Sequence, residues 1–294
     1  MQSDRKSLSL AWFLLLILTL IWGSSFLLIK KGLVLLTSGE LGALRMFSAA
    51  IVLIPIAIKH LKSFTKQQYF FLFIVGFVGS FLPAFLFAEA ETELDSAMAG
   101  ILNALTPLFV VIIGNLFFSQ SITPKSTIGI LIGFAGTVVL MLSGFERDQL
   151  VINYFVLYIV LATIFYGTNV NIIKYKLHGI KAIPLTSMAM AMTLPFSIVY
   201  LFHNMAFVDK LSWQPEVMIS LGYVVVLGMI GTAFAMVIFN KLVQISSPIF
   251  ASSVTYLIPI VAVVLGLLDN EVLHLQHYVG MTIVLLGVYI TNRK

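Results

Sequence analysis

The stretch Trp22-Gly23-Ser24-Ser25-Phe26-Leu27-Leu28-Ile29-Lys30 returns, altered, as Tyr166-Gly167-Thr168-Asn169-Val170-Asn171-Ile172-Ile173-Lys174. An aromatic residue, a glycine, two small polar residues, an apolar turn and a lysine recur at a spacing of 144, about half of the 294 residues. Two further pairs keep nearly the same offset. Leu105-Thr106-Pro107 is answered by Leu257-Ile258-Pro259 at 152, and Gly129 and Gly136 by Gly280 and Gly287 at 151. Three ordered pairs point to an internal duplication. Repeats of this kind place a working site at their interface.

The surroundings of these repeats are apolar. The chain is 60% hydrophobic and 10% charged, whereas a soluble domain carries about a quarter charged residues. Its apolar runs approach the ~20 residues that a helix needs to cross a bilayer core. Ten spans are expected, at 9–29, 41–58, 69–88, 96–118, 125–143, 152–173, 182–202, 217–239, 247–268 and 275–291. The runs are continuous, unlike the alternating segments of a β-barrel. The first follows Arg5 and Lys6 but is too long for a signal peptide and lacks a cleavage site, so it reads as a retained helix. There is no cysteine, which excludes disulfides and thiolate chemistry.

Orientation follows from the basic residues. With the N-terminus in the cytoplasm, Arg5, Lys6, Lys59, Lys62, Lys66, Lys125, Lys174, Lys176, Lys181, Lys241, Arg293 and Lys294 fall inside. Lys30, Lys31, Arg147 and Lys210 fall outside. This bias satisfies the positive-inside rule and places both termini in the cytoplasm. Basic residues at helix ends are a membrane pattern, so nucleic acid is not an expected partner. Five helices per copy is an odd number, so the second copy enters from the opposite face. The expected fold is an all-α membrane protein, one transmembrane domain over 1–294. It has ten transmembrane helices in two inverted five-helix repeats, at 9–143 and 152–291.

Polar residues within spans point at protein or at a water-filled cavity. Arg45 is the costliest. It anchors an anionic substrate group, pairs with an acid such as Glu40 or Glu89, or snorkels to the headgroups. Trp22, Ser24 and Ser25 in the first span, and Tyr166 and Asn169 at the corresponding place in the sixth, are candidate substrate contacts, as are Asn103, Thr255 and Tyr256. Small residues there serve equally for helix packing. Pro107 and Pro259 each remove a backbone hydrogen bond at matched places and are candidate helix breaks for gating. Gly129, Gly133, Gly136, Gly280 and Gly287 read as packing glycines. The acidic stretch Glu89 to Asp95 reads as a solvated outer loop, with a cation-attracting vestibule as the alternative, and Asp269 and Glu271 as capping or loop residues, with proton carriage as the alternative. No carboxylate stands out at mid-depth, which weakens obligatory proton coupling.

Motifs of nucleotide hydrolysis, zinc proteolysis and serine hydrolysis are missing from the sequence. No catalytic residue, metal or cofactor is therefore expected. A passive channel remains an alternative, and so does a non-transporting scaffold, although little chain flanks the spans.

The residues W-G-S-S-F from Trp22, L-G-A-L-R-M-F around Arg45, L-N-A-L-T-P to Pro107 and Y-L-I-P to Pro259 resemble the drug/metabolite transporter superfamily. Within it they resemble its ten-helix EamA-type carriers of bacteria. The stretch D-N-E-V-L-H-L-Q-H-Y-V-G-M-T-I-V-L-L-G-V from Asp269 adds to the likeness, which covers about residues 9–291. The resemblance implies an inner-membrane carrier with a central cavity that opens alternately to each side. It implies export of a small metabolite such as an amino acid, by a monomer or homodimer. The family usually carries an acid in the first repeat at the place that matches Glu271. Here Gln120 stands there, so the two halves do not share an acidic pair.

Overall fold

The computed structural model describes residues 2–121, 123–141, 153–203, 206–246, 251 and 254–292. Within these it describes all side chains but those of 2–8, 140, 141, 256, 288, 291 and 292. Ser252, Ser253, Arg147, Arg293 and Lys294 lie outside the described residues, as do the side chains of Arg5, Lys6 and Tyr256. So do residues 142, 143, 152 and 247–250 of the expected spans.

The described residues contain no strand. The long helices, in chain order, are α1 (Gln2–Gly32), α2 (Ser38–Lys59), α3 (Lys66–Ala90), α4 (Ser96–Phe118) and α5 (Pro124–Met141). After them come α6 (Val156–Lys176), α7 (Ala182–Phe202), α8 (Pro215–Ile245), α9 (Val254–Leu268) and α10 (Leu275–Asn292). Seven of these, α1 to α4 and α6 to α8, are long and apolar enough to cross a membrane. The other three hold shorter apolar helices at Pro124–Val139, Leu257–Leu268 and Leu275–Gly287.

Local chemistry sets several helix starts. Thr37 and Glu40 form a capping box at α2: the Glu40 N–H donates to Thr37 Oγ1 at 3.3 Å and the Thr37 N–H to Glu40 Oε2 at 2.8 Å. Thr65 and Gln68 repeat the device at α3. Each satisfies two of the N–H groups that a helix start leaves unpaired.

Two helices depart from α geometry where the sequence reads as a plain span. Phe77–Phe81 in α3 and Leu227–Phe234 in α8 are π-helical. Within them, Gly79-Ser80 and Gly231-Thr232 are small pairs at the 152-residue offset that also relates Pro107 to Pro259. Of the two expected proline breaks, Pro107 follows a tight 3₁₀ turn at Asn103–Leu105. Pro259 lies inside the continuous α9.

Packing pairs the two halves. α1 packs on α9 and α6 on α4, α5 on α10, and α2 on α7. Raising every label by five maps this set onto itself. The close approaches need glycine. A Cβ on Gly23 of α1 would lie 2.5 Å from Val261 Cβ in α9, and one on Gly167 of α6 would lie 2.7 Å from the Phe109 carbonyl carbon in α4. Gly136 meets the Val284 backbone and Gly287 meets Gly133, so the glycines of α5 and α10 make a contact within the chain. Outside, Trp12, Phe13, Leu16 and Leu20 line an exposed face of α1. An apolar exterior of this kind requires lipid.

Candidate functional site

Helices from both halves surround a cavity. Its walls include Trp22, Ser25, Phe26 and Ile29 of α1, Arg45 of α2, Gly79, Ser80 and Phe87 of α3, and Asn103 and Thr106 of α4. The other walls come from the second half: Tyr166, Asn169 and Val170 of α6, Gly231, Thr232, Met236 and Phe239 of α8, and Thr255 of α9. Its volume, measured over the centres of water-sized molecules, is about 90 Å³. One water needs about 10–15 Å³ by that measure, so the space suits a small organic molecule.

Most of the sequence candidates meet here. Trp22, Ser25, Arg45, Asn103, Tyr166, Asn169 and Thr255 all line the cavity. Ser24 is absent from its walls, and its hydroxyl donates to the Ile21 carbonyl of its own helix at 3.0 Å.

Arg45 is 8% exposed and does not snorkel. Its Nε donates to Thr232 Oγ1 at 2.8 Å, and Thr232 Oγ1 donates to the Leu227 carbonyl at 3.2 Å. The π segment of α8 thus receives the guanidinium. The same segment presents the Gly231 carbonyl to Trp22 Nε1 at 3.0 Å. Neither acid suggested as a partner pairs with Arg45. Glu40 bonds Lys210 at 2.5 Å, and Glu89 accepts from the Ser38 hydroxyl at 2.5 Å.

Aromatic rings flank the polar groups. Trp22 meets Phe239 at 5.2 Å between centroids, and Phe87 bridges Phe26 at 5.7 Å and Tyr166 at 6.1 Å. Two buried oxygens in the walls, Ser80 Oγ and Asn169 Oδ1, have no hydrogen-bond partner in the protein. A polar atom left so costs about 1–3 kcal/mol, which a ligand with suitable donors would recover. The lining therefore offers the Arg45 guanidinium as a cationic donor and these two oxygens as acceptors.

The acids gather at one end of the bundle. Lys30 Nζ reaches Asp269 at 2.8 Å and Glu271 at 2.9 Å, and Lys31 also pairs with Asp269. Glu271 accepts from the Ser96 N–H at 3.1 Å, the Ser96 hydroxyl at 2.5 Å and the Ala97 N–H at 3.1 Å, which caps α4. This latch ties α1, α4 and the α9–α10 turn together. Burial works to raise the Glu271 carboxyl, but the Ser96 hydroxyl, Lys30 and the Ala97 N–H together hold it below its ordinary value. Lys30 and Lys31 hold Asp269 low as well.

The stretch from Glu89 to Asp95 is not a uniformly solvated loop, contrary to its sequence reading. Thr92 and Glu93 are exposed, but Glu91 is 7% exposed and neither carboxyl oxygen has a partner. Nothing in the sequence separates it from its exposed neighbours.

Both halves match the model of the EamA-like transporter family, at residues 9–142 and 153–293. The chain belongs to the EamA-like transporter family. It is thus a member of the drug/metabolite transporter superfamily and a multi-pass membrane protein. Among its relatives, an uncharacterized transporter of Archaeoglobus fulgidus is 26% identical over 285 residues, covering 96% of this chain and 99% of that protein. The uncharacterized transporter YetK of Bacillus subtilis is 23% identical over 278 residues, covering 91% and 81%. A protein crystal structure superposes with a TM-score of 0.63 at 16% identity, over 95% of this chain and 94% of the other, a likeness of fold alone.

Proposed function

We propose that this EamA-family protein is a secondary carrier that exports a small amino-acid-like metabolite by alternating access. Ten crossings form two inverted five-helix repeats, 9–143 and 152–291. Both termini lie in the cytoplasm of a bacterial inner membrane, and the acidic end faces out. The single observation that carries this reading is the cavity between the copies, whose lining holds both Arg45 and the partnerless oxygens of Ser80 and Asn169.

A substrate carboxylate would accept from Arg45, and its ammonium would donate to Asn169 and Ser80. Trp22, Phe239 and Tyr166 would pack its side chain. Asn103, Thr255 and Tyr256 would complete the walls, while Ser24 would steady α1. The α3 and α8 π segments and Pro107 would give the helices room to shift, with Pro259 as a bend in α9. The lipid bilayer is the solvent, no cofactor or catalytic residue is required, and the unit is a monomer or homodimer.

Metabolite profiling of overexpressing against deleted cells names the substrate, and exchange in proteoliposomes then tests the carrier. Saturable counterflow is the expected result. Flux linear in concentration without counterflow would favour a passive channel.

A further inference from the structure

Glu91 closes α3 at the acidic end, one turn beyond Phe87, which lines the cavity. Its backbone N–H donates to the Phe87 carbonyl at 3.0 Å, so the last helical turn joins it to a residue of the cavity lining. Its carboxyl is more than nine-tenths buried and both oxygens lack any donor. The charged groups that act on it come from three other elements. They are Lys30 of α1, Arg45 of α2, and Glu271 of the turn between α9 and α10. Lys30 is already engaged by Asp269 and Glu271, and Arg45 by Thr232. Glu271 in turn acts on Asp95, which His274 and His277 also face.

Burial without hydrogen-bond donors disfavours an anion here, and the neighbouring Glu271 adds to it. A buried carboxylate without donors cannot replace its lost hydration. Burial accordingly pushes the Glu91 carboxyl well above the usual carboxylate range, and Glu271 pushes it further, with Arg45 and Lys30 only partly offsetting them. The nearby Glu271 has the opposite fate because Ser96, Ala97 and Lys30 stabilise its charge. Environment alone separates two acids of the same type.

We propose that Glu91 is a proton-binding site of the carrier, holding one proton while the acidic end is closed and releasing it to the water that enters when that end opens. The step breaks the carboxylic O–H bond, leaves the carboxylate, and passes H⁺ to water, with no change of oxidation state. It rests on the carrier reading in one respect, that the acidic end opens. Because one proton separates the two states, opening is linked to pH. Rising pH favours the open form by up to about tenfold per unit between the pKa values of the two states.

The probe is the proton itself. Infrared spectra of the whole protein in liposomes should show, at neutral pH, a carboxylic acid carbonyl band that shifts in D₂O and is lost in Glu91→Gln. A spectrum that Glu91→Gln leaves unchanged would overturn the proposal. If Glu91→Gln fails to accumulate, Glu91→Asp keeps the acid but must move the band and its titration midpoint; an unmoved band overturns the proposal equally.

Opening is read with a single cysteine at Ser25 and an impermeant maleimide outside spheroplasts, normalised to a cysteine at exposed Val34. Labelling should rise by up to about tenfold per pH unit and lose that slope in Glu91→Gln. A slope that persists in Glu91→Gln, or labelling that is flat with pH, overturns the proposal. Saturable counterflow in those same liposomes would still uphold the carrier reading, whereas its loss would remove that reading separately.

Discussion

Gln120 and Glu271 each fold back over the end of the helix before them, by turns of unequal length. The Gln120 N–H donates to the Gly114 carbonyl at 3.0 Å, and the Glu271 N–H to the Gly266 carbonyl at 2.9 Å. The residue before each is left-handed, Ser119 at φ 56° and Asn270 at φ 64°. The contacts beyond differ. Glu271 holds Lys30 and caps α4, while Gln120 Nε2 donates to Asn171 Oδ1 at 3.1 Å and to the Tyr175 hydroxyl at 2.7 Å. Two related turns thus carry an ionic latch at one end and a neutral one at the other.

Glu271→Gln should weaken the acidic latch while keeping its shape. The loss is that of hydrogen bonds to a charged group, about 1.5–3 kcal/mol. The thermal midpoint of the purified protein should fall, and the Ser25 cysteine should label faster. An unchanged midpoint and rate would show that the latch contributes nothing.

Acid should act on the same latch. The folded protein holds Glu271 and Asp269 below their ordinary values, so it binds fewer of these protons than the unfolded chain. Their stabilisation is full above the unfolded carboxylate range and is lost as pH falls through the folded values. The difference in melting temperature between wild type and Glu271→Gln should therefore shrink on acidification. A difference that grows towards low pH would refute the assignment.

Gly167→Ala should destabilise by about 1–3 kcal/mol, the usual cost of overpacking. Its Cβ would meet backbone of Phe109 and Val110, which cannot rotate away. Gly222→Ala is the control, since nothing lies within 4 Å of the Cβ it would add. Comparable melting temperatures for the two variants would contradict the close packing of α4 and α6.

Arg45→Ala should lower the affinity for an anionic substrate by about ten- to a hundredfold, from the loss of charge-assisted hydrogen bonds. Arg45→Lys keeps the charge but loses the planar fork, so an intermediate loss is expected. Counterflow of the profiled metabolite measures both. Wild-type affinity in Arg45→Ala, with normal protein level, would remove Arg45 from the site.

Trp22, Arg45 and Asn169 were legible in the sequence because a polar or aromatic residue in an apolar run needs a partner away from lipid. The repeat was legible because Gly23 and Gly167 serve equivalent close approaches. Ser24 lies off the cavity lining while Ser25 is on it, because neighbours on a helix point about 100° apart. The π segments were missed because Gly79-Ser80 and Gly231-Thr232 have the same composition as ordinary packing sites. Glu91 was missed because burial is a property of the folded turn, and the exposed Glu93 has the same side chain two positions on.

An α-helix that loses one residue turns everything beyond the cut by about 100°, since 3.6 residues make a turn. A π segment carries a residue beyond the α repeat. Shortening Phe77–Phe81 or Leu227–Phe234 by one residue would therefore restore plain α-helix and leave the outward and inward faces of α3 and α8 in register. In most membrane-spanning helices a deletion scrambles which side meets lipid; at these two places the chain holds a spare.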